Sequence, residues 1–194
     1  GIFSHIPGLR IAFPSNAADA KGLLKAAIRH PDPVMFLEQK GMYRQQFAAA
    51  PEPDETYVLP FGHARVVRDG SDLTVVAWGS LVQKSVEAAR ELEDEGTSVE
   101  IIDVRTLNPL DTETIFQSVR KTNKVLVAHE ANLTGGFGGE LASRIADECF
   151  MWLDGPVRRL AAKDSHIPFS WTLEQEVLPS TKDVKNAVKE LIAF

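Results

Sequence analysis

At 194 residues, with 44% hydrophobic and 25% charged side chains and a formal net charge of −6, the chain has material for one ordinary domain, or one domain and a piece of another. The acidic balance argues against a nucleic-acid surface, and no run approaches the roughly 20 apolar residues of a membrane span. The single Cys149 excludes an internal disulfide, and no basic start followed by an apolar block marks a leader in residues 1–13, so a reducing cytoplasm is the expected setting.

Residues 1–9 show no cap or strand start of their own. Arg10 to Phe13 reads as a strand stopped by Pro14, after which Asn16 caps a helix with Asp19 three residues on. Leu23, Leu24, Ala27 and Ile28 are expected on that helix's buried side. His30-Pro31-Asp32-Pro33 breaks the helix, because proline and the residue before it resist helical geometry. Val34 to Leu37 is a second short strand, so residues 1–37 resemble the last βαβ unit of a domain whose earlier strands are missing. Ala48 to Glu55 is alanine, proline and acid with little to bury. It is the expected linker, and the domain boundary is placed there.

Ala64 to Val67 and Leu73 to Ala77 are strands around Asp69-Gly70, a hairpin signal. Ser80 and Gln83 suggest a capping box for a helix that buries Val82, Val86, Ala89 and Leu92 and stops at Gly96. A strand from Val99 to Val104 and a helix within 109–122, capped by Asp111, come next. Lys124 to Ala128 is an apolar run of buried-strand length, followed by His129, Glu130 and the glycine turn of residues 135–139. Leu141, Ile145 and Cys149 share one face of the helix expected from Glu140 to Trp152. A strand at 157–161 and a closing helix capped by Thr181, with Val184, Val188, Leu191 and Ile192 inward, complete the pattern. Alternating strands and helices imply a three-layer α/β/α, doubly wound and mostly parallel sheet. In such a sheet ligands and partners meet the chain beyond the carboxyl ends of the strands.

Candidate chemistry is sparse. The glycine turn feeds a helix N-terminus, which can bind an anion, yet it matches neither the dinucleotide nor the P-loop pattern. The bland reading is a tight turn that lets the helix pack closely. His129 and Glu130 could form an acid–base pair, but neighbours on a strand point to opposite sides, which favours a structural or interface role. Cys149 is expected to be buried and inert. The five histidines lack zinc-ligand spacing, and no G-x-S-x-G elbow occurs. Arg105, just past a strand, pairs with a nearby acid or faces a neighbouring subunit or anionic ligand.

Five phrases in order carry a resemblance: residues 5–9 (HIPGL), 20–24 (AKGLL), 37–44 (LEQKGMYR), 104–111 (VRTLNPLD) and 129–137 (HEANLTGGF). The series resembles the beta subunit of the thiamine-diphosphate-dependent 2-oxo acid dehydrogenases, or a fused chain carrying both subunits, and looks nearest the branched-chain (2-oxoisovalerate) type. The resemblance implies a division into residues 1–45, the end of a pyrimidine-binding domain; 46–59, a linker; and 60–194, a transketolase C-terminal-like domain. It implies that the groups contacting thiamine diphosphate lie upstream and that the diphosphate and Mg are held by the alpha part. No catalytic or cofactor-binding residue is therefore expected here. It also implies a monovalent cation, K, on main-chain carbonyls matching Ala27, His30 and Asp32. Asp154 and the Phe194 carboxylate match positions that dock a dihydrolipoyl acyltransferase. Arg105, His129 and Glu130 fall where subunits meet in a homodimer or an alpha/beta heterotetramer. The expected role is oxidative decarboxylation of branched-chain 2-oxo acids with acyl transfer to lipoamide, this segment supplying assembly and docking. A pyruvate dehydrogenase beta subunit and a stand-alone interaction module without catalysis are the alternatives.

Overall fold

The computed structural model describes residues 1–194. Its elements in order are β1 (Arg10–Ala12), α1 (Ala17–Arg29), β2 (Val34–Phe36), β3 (Arg65–Arg68), β4 (Leu73–Ala77), α2 (Ser80–Glu93), β5 (Val99–Asp103), β6 (Thr106–Asn108), α3 (Thr112–Thr122), β7 (Val125–Asn132), α4 (Phe137–Cys149), β8 (Arg158–Ala162), α5 (Trp171–Val177) and α6 (Thr181–Ile192).

A five-stranded sheet of order β3-β5-β4-β7-β8 forms the centre, parallel throughout except for β3, which runs antiparallel to β5. Its inner strands β4, β5 and β7 are largely apolar on both faces, as a sheet covered by helices on each side requires. Leu73, Val75 and Ala77 of β4 with Val99 and Ile101 of β5 pack under α2 and α6. The alternate residues Val76, Ile102, Val125 and Val127 pack under α3 and α4. These are the three layers the alternation of strands and helices implies.

The βαβ unit at the start is also present: β1 and β2 pair in parallel across α1. Its sheet has a third member, β6, which pairs antiparallel with β1 although it lies between β5 and α3 in the chain. Ile11 of β1 accordingly joins the core shared by Val104, Leu107 and Phe137.

Several local expectations are corrected. β3 and β4 do not form a hairpin, because β5 lies between them. Gly70 serves a different purpose: a side chain there would collide with the backbone of Val99 and Glu100, so glycine lets the connection cross β5. Ser80 is the first helical residue of α2 rather than its cap. The cap is Gly79 at φ +59°, which offers no side chain. α4 starts at Phe137, three residues before the expected Glu140. Ser180, not Thr181, caps α6, in a reciprocal capping box with Asp183. On α1 only Leu23 of the four expected residues is fully buried, while Leu24 and Ile28 face outward. Asn16 and Asp111 cap their helices as expected.

Candidate functional site

The carboxyl ends of β4, β5 and β7 gather three polar clusters, the first two of which meet the β1–α1–β2 unit or the residues just after it. The first surrounds Arg105, held at φ +59° just past β5. Its guanidinium grips Asp19 of α1 through two hydrogen bonds, Nε to Oδ2 at 3.0 Å and Nη2 to Oδ1 at 2.8 Å. Arg65 stands 3.6 Å from Asp19 and 3.9 Å from Asp103. The Ser15 hydroxyl donates to Asp103, whose other oxygen accepts from the Arg105 N–H at 3.2 Å. Burial pushes the Asp103 carboxyl up to about 6, against the pull of the Ser15 hydrogen bond, and the Asp19 charge adds to the rise. Arg105 thus pairs with a nearby acid, Asp19.

The second cluster is built on Glu130, which accepts from the Ser80 hydroxyl and from the Gln39 carboxamide. Lys84 Nζ lies 3.4 Å from Glu130 and 2.8 Å from the Pro179 carbonyl oxygen.

The third is His129, which continues the parity of Val125 and Val127 and so points to the α4 side, away from Glu130. The two therefore form no acid–base pair. The His129 imidazole is fully enclosed and stacks on Trp78, with ring centroids 5.2 Å apart and planes within 6°. Neither ring nitrogen finds a hydrogen-bond partner. Burial first, then the Arg159 charge, lowers its pKa to about 4, so the ring is neutral near pH 7. The glycine turn explains itself here. A Cβ on Gly138 would strike the His129 ring and also lie 3.3 Å from Val127 Cγ1, and one on Gly136 would lie 2.7 Å from His129 Cε1. Glycine lets α4 begin directly against the imidazole, in agreement with the close-packing reading.

No buried carboxylate is left over for a cofactor. Asp19 and Asp103 are committed as above, and Glu100 accepts from Lys121, Ser118 and the Gly70 N–H. No group of three or more His, Cys, Asp or Glu side chains is placed to hold a metal. The buried carboxylates of this chain thus offer neither thiamine diphosphate nor Mg a free ligand of their own. Burial raises the Cys149 thiol above its ordinary pKa, which keeps it unreactive near neutral pH.

The main-chain positions matched to a monovalent cation lie together at the end of α1. The Ala27 carbonyl accepts from the His30 N–H at 3.2 Å and keeps a second lone pair, and the His30 and Asp32 carbonyls accept no backbone hydrogen bond. The Asp32 carboxylate is taken by Arg10 at 3.1 Å. Oxygen donors at a helix C-terminus suit a cation.

Asp154 and Phe194, distant in sequence, line one surface groove of about 910 Å³ with Ala142, Phe150, Met151 and Pro156. Phe150, Met151 and Phe194 are largely exposed there. Sequence reasoning did not find Gln39, Ser15 or Asp103 as members of the junction clusters.

Residues 62–184 match the model of the transketolase C-terminal domain, and residues 1–46 match that of the transketolase pyrimidine binding domain. The chain is 41% identical over 192 residues to 2-oxoisovalerate dehydrogenase subunit beta 2, mitochondrial, of Arabidopsis thaliana, covering 99% of this chain and 52% of that protein. It is 45% identical over 187 residues to the pyruvate dehydrogenase E1 component subunit beta of Rhizobium meliloti, covering 96% of this chain and 40% of that one. The chain thus spans about half the length of the curated relatives it matches. Among solved structures, a split gene transketolase described as an inactive beta4 tetramer superposes with a TM-score of 0.80 at 27% identity, covering 99% of this chain and 60% of that one. With its C-terminal match extending over most of the chain, on a wound sheet of the corresponding architecture, this protein belongs to the transketolase C-terminal domain family.

Proposed function

We propose that this chain is the C-terminal part of the beta subunit of a 2-oxo acid dehydrogenase, serving subunit assembly and acyltransferase docking. The observation that carries the reading is end-to-end similarity, above 40% identity, to beta subunits named for 2-oxoisovalerate and pyruvate. The complete enzyme would decarboxylate a 2-oxo acid oxidatively and pass the acyl group to lipoamide. Thiamine diphosphate would supply the electron sink for that chemistry, with a divalent metal, Mg, at its diphosphate. Residues of this chain would act as framework. We read the substrate as a branched-chain 2-oxo acid from the wording of residues 37–44 and 148–150. The pyruvate reading is favoured by the 45% identity to a pyruvate enzyme subunit.

The same reading divides the chain into residues 1–45, the end of a pyrimidine-binding domain; 46–59, a linker; and 60–194, the C-terminal domain. The matched segments 1–46 and 62–184 support that division. Ala27, His30 and Asp32 would offer carbonyl oxygens to K; a rise in melting temperature with KCl but not with choline chloride is expected. Among the three interface candidates, half-buried Glu130 has surface to present to an alpha or second beta subunit, and Arg105 and His129 shape that edge from beneath. The lone buried thiol suits a reducing compartment such as the cytoplasm. No helix is long and apolar enough to cross a membrane.

The decisive experiment restores the upstream part of the subunit and the alpha partner. It then compares turnover of branched-chain 2-oxo acids and pyruvate, and capture of a dihydrolipoyl acyltransferase. The assembled enzyme should turn over a 2-oxo acid, and this chain alone should not. Asp154→Lys should weaken capture at least tenfold while leaving decarboxylation with an artificial electron acceptor unchanged, because charge pairing at a docking rim steers the encounter. Unchanged capture would remove Asp154 from the docking surface.

A further inference from the structure

In a doubly wound sheet the natural place for a ligand is the crevice at which the strand order reverses. Here the chain leaves β4 for β5 on one side, and later places β7 on the other side of β4. The crevice therefore opens between the carboxyl ends of β4 and β7, bounded by Gly79, Ser80 and Glu130. α2 starts there with a glycine cap that supplies no side-chain oxygen, so the first N–H groups of the helix need an outside acceptor.

That acceptor is Gln39, three residues beyond β2. Its Oε1 accepts from the Ser80 N–H, its Nε2 donates to the Glu130 carboxylate, and Nε2 also lies 3.3 Å from Ser80 Oγ. The crevice is shaped for it, since a Cβ on Gly79 would stand 2.5 Å from Gln39 Oε1 and 3.2 Å from the Phe13 ring. On its other side Gln39 walls a cavity of about 440 Å³ between the start of α1 and the arch of residues 38–49, lined by Pro14, Asn16, Met42, Tyr43 and Ala48.

We propose that Gln39 is an intramolecular plug: its carboxamide fills the crevice where this sheet would receive a ligand, and so latches the 38–49 arch onto the carboxyl edge of the five-stranded sheet. The chemistry demands an amide, because one end must accept from an N–H while the other donates to a carboxylate. A carboxylate at position 39 would instead face that of Glu130. Exchanging the two groups restores a matched pair, the carboxylate now at position 39 accepting both from the Ser80 N–H and from a carboxamide at position 130.

Hydrogen exchange of the full chain, followed separately in peptides from 38–49 and 99–103, tests this. Gln39→Glu should speed exchange in 38–49 at least tenfold, and the double variant Gln39→Glu/Glu130→Gln should bring it back to within about threefold of wild type. Residues 99–103 should be unaffected in both. Should Gln39→Glu fail to fold, Gln39→Met, of similar length without donor or acceptor, should loosen 38–49 alone. Wild-type protection of the arch in Gln39→Met, or a double variant as fast as Gln39→Glu, overturns the proposal.

Discussion

Two enclosed side chains at the carboxyl edge, Asp103 and His129, titrate far from their ordinary ranges and in opposite senses. Asp103 holds its proton up to about 6 in the folded chain, mainly because of burial, against about 4 when unfolded. Its contribution is full below pH about 4 and is lost as pH rises through 6. His129 stays neutral down to about 4, again mainly through burial, against about 6.5 when unfolded. Its contribution is full above pH about 6.5 and is lost as pH falls towards 4. Either shift alone corresponds to up to ~3 kcal/mol, yet between pH 4 and 6 they offset one another. Asp103→Asn should leave stability climbing with pH across that window, and His129→Phe should leave it falling, both read from urea midpoints. Neither effect was legible in the sequence. His129 was visible as a residue leaving a strand, but its neutrality depends on Trp78 behind it and glycines in front, which only the fold assembles.

At the scale of elements, the five-stranded sheet was readable because its strands are apolar runs separated by helices with one-sided burial, and each signal exceeds a turn in length. What escaped was short or non-local. β6 is three residues, Thr106 to Asn108, set between Arg105 and Pro109, and reads as loop. The Asp69-Gly70 hairpin signal was genuine turn chemistry overruled by β5, whose parallel ladder with β4 buries apolar side chains on both faces. Because β6 covers the open side of β1, the opening βαβ unit has more support than its own two strands give. The Phe13 N–H donates to the Arg105 carbonyl at 2.8 Å. Hydrogen exchange at Phe13 should therefore be as slow as in 99–103, with residues of the outer strand β2 faster. Rapid exchange at Phe13 would mean that β6 does not hold β1 in solution.

At the scale of the whole molecule, large apolar side chains are exposed close together in one segment, the kind of contiguous patch that marks an interaction site. Phe169 is fully exposed, Trp171 is 72% exposed, and Ile167 and Leu173 are more than half exposed, all within one segment beside the end of β8. In the assembly proposed above that segment is expected to be covered by another subunit. Sedimentation of the isolated chain should show concentration-dependent association, and Phe169→Ser/Trp171→Ser should shift it towards monomer without lowering the melting temperature. These residues were passed over in the sequence because α5 is short and its apolar Trp171, Leu173 and Val177 do not share one helical stripe.

The return of β6 to β1 also sets an order of events on the ribosome. The Asn108 carboxamide donates to the Leu9 carbonyl oxygen at 2.8 Å across 99 positions of chain. β1 must therefore wait, with that edge uncovered, until the 99 positions up to Asn108 have followed Leu9 out. Products of translation that stop between β1 and residue 108 should thus need shielding by a chaperone, and a pause in that interval would lengthen the wait.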